Sequence, residues 1–174
     1  HHPVWHMCSH TSHHPVWHVQ RVQVLEVDQA TGACIDAYST PGIEAFRALG
    51  EAVAGGSAPI RLPGLGFLAV AHTRVLVGAT RRTFFYLYEE HPPFTILAVT
   101  PRLLFFNATI EYATGLVRRG HELIVAMGID DCYSRYVTVG LCPTLRRLTW
   151  REPLKRDLAK ERALCAAACA AKQC

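Results

Sequence analysis

Two stretches, Phe67-Leu-Ala-Val-Ala-His-Thr73 and Arg82-Thr-Phe-Phe-Tyr-Leu-Tyr-Glu-Glu90, decide the fold. Each is a short apolar run, the second dense in aromatics, and each is bounded by turn residues, as strands buried in a sheet are. Pro63-Gly-Leu-Gly66 precedes the first and His91-Pro-Pro93 follows the second, so both are bracketed by tight reversals. Working outward, residues 58–62 and 94–99 read as flanking strands, and residues 111–117, 122–128 and 134–141 continue the series. Arg118-Arg-Gly-His121 is a hairpin turn between two of them. Upstream, residues 19–28 alternate like a half-buried strand, Gln29-Ala-Thr-Gly32 turns, and residues 34–38 return as the second arm of a hairpin. Residues 42–54 have mild helical spacing, which fits either one or two helical turns or an irregular connection. About nine short strands joined by short turns predict an all-β meander rather than a βαβ alternation.

The ends differ from this core. The hexapeptide His-His-Pro-Val-Trp-His occurs at residues 1–6 and again at 13–18, and seven of the ten histidines lie in this tract. Imidazoles so concentrated can bind transition metals, but no carboxylate or cysteine scaffold there would fix a geometry. A short duplication or mispredicted first exon without selected chemistry is therefore the favoured reading, and the tract is expected to be disordered. At the other end Thr149-Trp-Arg-Glu152 has capping-box spacing and Pro153 suits a first helical turn. Residues 154–172 are nearly all good helix formers, predicting a helix of about four to five turns. Leu154, Leu158, Leu164 and Cys165 roughly share a face, suited to docking on the sheet, while a solvated end helix fits as well. The expected organisation is therefore residues 1–18, a β domain over 19–148, and a basic helix over 149–174.

Composition bounds the function. With 174 residues the chain suits one domain, and half of its residues are hydrophobic, too many for a disordered chain. No run of about 18 uncharged apolar residues occurs, so no transmembrane helix and no membrane partner are expected. The first 18 residues do not read as a secretory leader. The net charge of +4 is local: residues 146–174 carry eight basic and three acidic residues, the remaining 145 carry ten and eleven. The basicity belongs to the tail, and nucleic acid is not an expected partner. The seven cysteines are odd in number and form no CxxC pair, which argues against a zinc ribbon or thioredoxin-type site; small buried hydrophobes are the simplest reading. Asn107-Ala-Thr109 fits the glycosylation acceptor pattern, which matters only in a secreted chain; a chance match is the simpler reading.

In a β-meander the chemistry gathers at strand ends. His72 and Arg74 close a very apolar strand and together suit an anion or a sugar hydroxyl. Glu111 opens another apolar strand, where a carboxylate is seldom found without a partner or a polar cavity. Asp130 and Asp131 follow a third, with Arg135 in reach; adjacent residues of an extended chain point apart, so the two are not automatically a pair. Gly55-Gly56-Ser57 suits either close approach of a ligand or a plain turn, and lacks the lysine of a P-loop. For each of these positions a purely structural role is also open. Paired carboxylates are what glycosidic chemistry needs, one to protonate the leaving oxygen, although these residues alone permit other chemistry.

The order of these motifs resembles a known group. Gly55-Gly-Ser-Ala-Pro-Ile-Arg-Leu62 followed by Gly66-Phe-Leu-Ala-Val-Ala-His-Thr73 resembles the "GG(T/S)-P-hydrophobic … YL-hydrophobic-H" stretch of five-bladed β-propellers related to glycoside hydrolases. Phe84-Phe-Tyr-Leu-Tyr88 with Pro93-Phe-Thr-Ile-Leu-Ala98 is similar to their "YY-hydrophobic … PF-x-I" segment. Ile110-Glu-Tyr-Ala-Thr-Gly-Leu116 and Leu123-Ile-Val-Ala-Met-Gly-Ile-Asp-Asp131 resemble the "(I/V)-E-(F/Y)-x-x-G-L" and "hydrophobic-S-Y-G-x-x-D" strands that follow. The group is the furanosidase-like propellers, which include the mannoside phosphorylases and a branch found beside or fused to glycosyltransferase domains.

The resemblance covers residues 21–141 and implies a carbohydrate-active protein acting on or transferring glycosyl groups, with carbohydrate or glycosyl phosphate as ligand and no metal or cofactor. Carried over, Glu111 would be the general acid or base and Asp131 the second carboxylate. His72 and Arg74 would hold sugar or phosphate, beside Asp130 and Arg135. Five blades need on the order of twenty strands, against about nine here. The resemblance thus implies a partial propeller of two to three blades, whose open sheet edges would be covered by the remaining blades or another chain. The first-blade Asp of the hydrolases has no counterpart. That favours the alternative, a non-catalytic glycan-binding or scaffolding segment of a larger glycosyltransferase.

Overall fold

The computed structural model describes residues 4–9, 22–28, 30–41, 44–47, 49, 52–74, 80–150 and 157–170. The strands are β1 (Val4–Ser9), β2 (Val22–Val27), β3 (Cys34–Ser39), β4 (Ala52–Ala54), β5 (Ile60–Leu62), β6 (Gly66–Arg74), β7 (Arg81–Tyr88), β8 (Ile96–Val99), β9 (Glu111–Arg119), β10 (Glu122–Ile129), β11 (Tyr133–Gly140) and β12 (Thr149–Trp150). Three helices accompany them: α1 (Glu44–Arg47), α2 (Leu141–Arg146) and α3 (Leu158–Ala170). The named strands form three antiparallel sheets: β1-β2-β3, β11-β10-β9, and β12-β8-β7-β6-β4 with β5 also paired to β6.

The β6–β7 pair lies at the centre and has almost no solvent face. Successive strand residues point to opposite sides. On β6, Leu68 and Val70 enter one core with Phe85 and Leu87 of β7, while Ala69 and Ala71 enter another with Phe84, Tyr86 and Tyr88. The first core is closed by Ala113, Leu116, Leu123, Val125 and Met127 of the β9–β11 sheet and by Leu141, Leu145 and Leu148. The second is closed by Val24, Phe46, Val53, Phe94 and Ile96. Phe46 packs edge-on to Phe84 and Tyr86, with centroids 5.6 and 5.5 Å away. Burial pushes the phenols of Tyr86 and Tyr88 above their ordinary range, so both stay neutral.

Turn chemistry fixes the hairpins. Asp28 Oδ1 accepts hydrogen bonds from the amides of Ala30 and Thr31 and from the Thr31 hydroxyl, and Gly32 takes a φ of 72°. Asp130 and Asp131 both lie in the left-handed region, with φ of 48° and 53°, and the Cys132 amide donates to the Ile129 carbonyl across them.

The structure corrects several expectations. Within residues 42–54, Glu44–Arg47 make one helical turn, α1, as one of the expected readings had it, but Ala52–Ala54 form strand β4. Thr149, expected as a helix cap, is instead in β12, where Thr149–Trp150 pair with Val99 and Ala98 of β8. The C-terminal helix starts at Leu158, and Asp157 Oδ1 accepts the Lys160 amide at 3.0 Å as its cap. Residues 151–156, including Pro153 and Leu154, lie outside the described residues. The eleventh strand ends at Gly140, and Leu141 opens α2. Cys142 and Cys165 are not plain hydrophobes but a disulfide joining α2 to α3, with Cα atoms 5.7 Å apart. Val4–Ser9 form a strand within the tract expected to be disordered, and the second hexapeptide, residues 13–18, lies outside the described residues. Among the described residues no helix is long and apolar enough to cross a membrane.

The disulfide spans 23 residues of chain and removes loop entropy from the unfolded state. Replacing both Cys142 and Cys165 by Ser is expected to lower stability by about 3 kcal/mol. Urea denaturation of the oxidised protein and the double variant checks this through the unfolding free energies extrapolated to water, with the slope fitted for each, since the uncrosslinked chain unfolds to a less compact state.

Candidate functional site

Strand register gathers the candidate residues at one end of two sheets. On β6 and β7, His72 faces Thr83 and Arg74 faces Arg81. Arg81 then bridges in parallel to Ile110 at the start of β9. Ile110 and Asp130 exchange two bonds, the Asp130 amide to the Ile110 carbonyl and the Ile110 amide to Asp130 Oδ1, each 2.9 Å. The C-terminal ends of β6 and β10 thus meet the starts of β7 and β9. His72, Arg74, Glu111 and Asp130 come to this end, joined by two residues that strand-end reasoning missed, Arg81 and Tyr112.

His72 continues the row of Leu68 and Val70, so the alternation that buries them buries it too. It is 9% exposed, and its Nδ1 has no hydrogen-bond partner among the described residues. Gly55, at φ 56°, makes room for the ring: a Cβ there would lie 2.6 Å from His72 Cε1. On another side lies the Tyr112 ring, with centroids 5.7 Å apart and planes inclined at 56°. Tyr112 in turn lies over its cross-strand partner Gly128, where any Cβ would collide with the ring. The Arg81 guanidinium sits 5.0 Å from the Tyr112 centroid, a cation–π contact. Burial, then the charges of Arg81 and Arg74, pushes the His72 pKa down to about 4. At neutral pH the ring is therefore uncharged, with one nitrogen donor and one acceptor to offer a ligand.

Glu111 sits differently. Its carboxylate is fully buried and accepts three backbone N–H groups, from Phe105 at 2.7 Å, Phe106 at 2.9 Å and Ala108 at 3.0 Å. Arg82 secures the same loop from the side, donating from Nη1 to the carbonyls of Ala108 and Thr109 at 3.3 and 3.1 Å. Such a carboxylate fixes the loop over residues 103–109, and proton transfer from it would first require breaking these bonds. Asp130 extends the β9–β10 ladder, Asp131 is exposed in the turn, and Arg135 is exposed on β11, its guanidinium 5.8 Å from the Tyr133 centroid.

A cleft of about 330 Å³ opens at the opposite end of β6, between the turns carrying Gly64, Gly66, Glu89 and Glu90. Its carboxylates are engaged: Glu90 is ion-paired with Arg61, and Glu89 accepts the Thr95 amide at 3.2 Å. The buried, unpartnered imidazole places the candidate site at the His72 end instead. Among the described residues no group of His, Cys, Asp and Glu is arranged to hold a metal ion.

No protein-family model matches the chain, and a search of curated proteins found no match. A solved structure does: a β-1,2-mannobiose phosphorylase from Listeria innocua, in complex with β-1,2-mannobiose. The TM-score is 0.62 at 18% identity, over 82% of this chain and 41% of that one. At this identity the likeness is one of fold. The chain is a partial, propeller-like arrangement of antiparallel sheets with a C-terminal helix, as its strand series and motifs led one to expect. It spans less than half the length of the protein it matches.

Two outcomes follow from this geometry. Glu111→Gln leaves at least one N–H facing an amide nitrogen, and should destabilise the protein by about 1.5–3 kcal/mol, measured by urea denaturation. The folded pKa of His72 lies below its ordinary 6.5, so the unfolded chain binds the extra proton first. The contribution of neutral His72 is complete above pH 6.5 and fades as pH falls towards 4, by about 3 kcal/mol in all. Stability measured at pH 7 and pH 4.5 should therefore differ less in His72→Gln than in the parent.

Proposed function

We propose that this chain is the ligand-holding part of a carbohydrate-active β-propeller, and that His72, Arg74, Arg81 and Tyr112 hold a glycosyl group bearing a phosphate or a well-placed hydroxyl. One observation carries the reading: an imidazole nitrogen of a nine-tenths buried histidine, without a partner among the described residues, beside an aromatic ring and near two guanidinium groups. A buried polar atom left open is expensive unless something else completes it. The chemistry around it suits an anionic sugar: guanidinium groups for phosphate oxygens, a neutral imidazole for a hydroxyl, and the ring of Tyr112 for a sugar face. The likeness of fold to a mannoside phosphorylase supports the same class of ligand.

In this reading Glu111 is a positioning residue that holds the 103–109 loop, and Asp131 and Arg135 lie on the rim. The chain is a glycan-binding segment, with further blades or another chain covering its open sheet edges. The catalytic alternative, Glu111 as acid or base with Asp131 as its partner, requires the Glu111 carboxylate to leave three amides.

Calorimetric titration with mannose 1-phosphate and with β-1,2-mannobiose tests the proposal. Arg74→Ala and Arg81→Ala should each weaken binding of the phosphorylated sugar at least tenfold, the loss of about 1.4 kcal/mol from one charged contact. No saturable binding of either sugar by the folded chain would overturn the reading. Release of free sugar from mannobiose, or of sugar phosphate when inorganic phosphate is added, abolished in Glu111→Gln, would favour the catalytic alternative.

A further inference from the structure

The loop that Glu111 holds carries a feature that sugar binding at His72 does not use. Asn107-Ala-Thr109 is an N-x-Thr acceptor, and both Asn107 and Thr109 are exposed. Asn107 has φ 56°, a left-handed conformation that Asn tolerates better than most residues. The amides of Phe106 and Ala108 on either side are tied to Glu111, and the Ala108 and Thr109 carbonyls to Arg82. The acceptor is thus presented on a fixed backbone, where a bulky substituent on the side chain displaces no packing. Leu104 and Phe106 beside it are 43% and 41% exposed, an apolar surface against which the ring face of a first sugar can lie. The Cys142–Cys165 disulfide adds an independent observation, since disulfides form and persist in oxidising compartments such as the ER lumen, where acceptor asparagines meet the oligosaccharide donor.

We propose that Asn107 is a site of N-linked glycosylation. The Asn107 side-chain nitrogen would attack the anomeric carbon of a lipid-linked oligosaccharyl pyrophosphate. The N–C bond forms, the anomeric C–O bond to pyrophosphate breaks, the amide gives up one proton, and the lipid pyrophosphate leaves.

The test is expression of the full chain behind a cleavable secretory leader in a eukaryotic cell, with the product taken from medium and lysate. Peptide-N-glycosidase should convert the parent to a single faster-migrating band, with Asn107 read as Asp by peptide mass mapping. Thr109→Ala, which leaves the left-handed Asn107 untouched, should run at the faster position with or without the glycosidase, while Thr109→Ser should behave as the parent. Peptide mapping after alkylation, which also caps the exposed thiols of Cys34 and Cys132, should recover Cys142 and Cys165 as a linked pair. A secreted, disulfide-linked chain with bare Asn107 overturns the proposal. So does a secreted chain with bare Asn107 in which Cys142 and Cys165 remain thiols.

Discussion

Everything in this fold answers to a strand pair that cannot face water. Phe84, Phe85, Leu87 and Tyr88 of β7 are all within 1% of complete burial, on alternating sides, as are Leu68, Ala69 and Val70 of β6. An antiparallel sheet commonly keeps one solvated face; this pair keeps neither and must be covered twice. The β9–β11 sheet with α2 supplies one cover, and Phe46 of α1, Phe94 and the Val24 region supply the other. Each fully buried large side chain is worth roughly 1.5–3 kcal/mol relative to exposure, so losing either cover would strip away several such contributions at once.

The candidate site is where this apolar row runs out. Leu68, Val70, His72 and Arg74 form a gradient along one face of β6, from core to solvent, and His72 stands at the boundary. It is deep enough to be held neutral and close enough to the end to meet Arg81 and Tyr112. Two glycines make this geometry possible, Gly55 against the imidazole and Gly128 beneath the Tyr112 ring. The polar groups at this end divide into those that hold backbone, Glu111, Asp130 and Arg82, and those to which the proposed function assigns a ligand, His72, Arg74 and Arg81.

What the sequence made legible depended on range. Alternation and apolar runs marked β6, β7, β9 and β10 because their burial is written in consecutive residues. The turn after Arg118 and the strand-end position of His72 were readable for the same reason. Contacts between distant residues were not. Two-residue β12 has no periodicity, and Thr149 carries a helix-cap signal that pairing with β8 overrides. The link between Cys142 and Cys165 depends on how α3 folds back, which spacing alone does not encode. Glu111 was noticed because a carboxylate at the mouth of an apolar strand needs a partner. Its partners turned out to be the amides of a loop three to six residues upstream, which no pattern of side chains announces. Tyr112 sat unremarked inside a motif, since only the register that sets it against Gly128 shows where its ring goes.

The pairing of β12 with β8 also governs the order in which the molecule can be assembled. The chain leaves the central sheet at Val99, builds the whole β9–β11 sheet and α2, and returns with Thr149–Trp150 to add the last strand. The β9–β11 sheet is therefore an excursion between two neighbouring strands, and the return contact spans some fifty residues of sequence. Long-range closures of this kind come late because the loop entropy must be met before the contact forms. During synthesis the central sheet stays one strand short until residue 150 has left the ribosome. The two sheets should then lock into a single cooperative unit, rather than ripening one after the other.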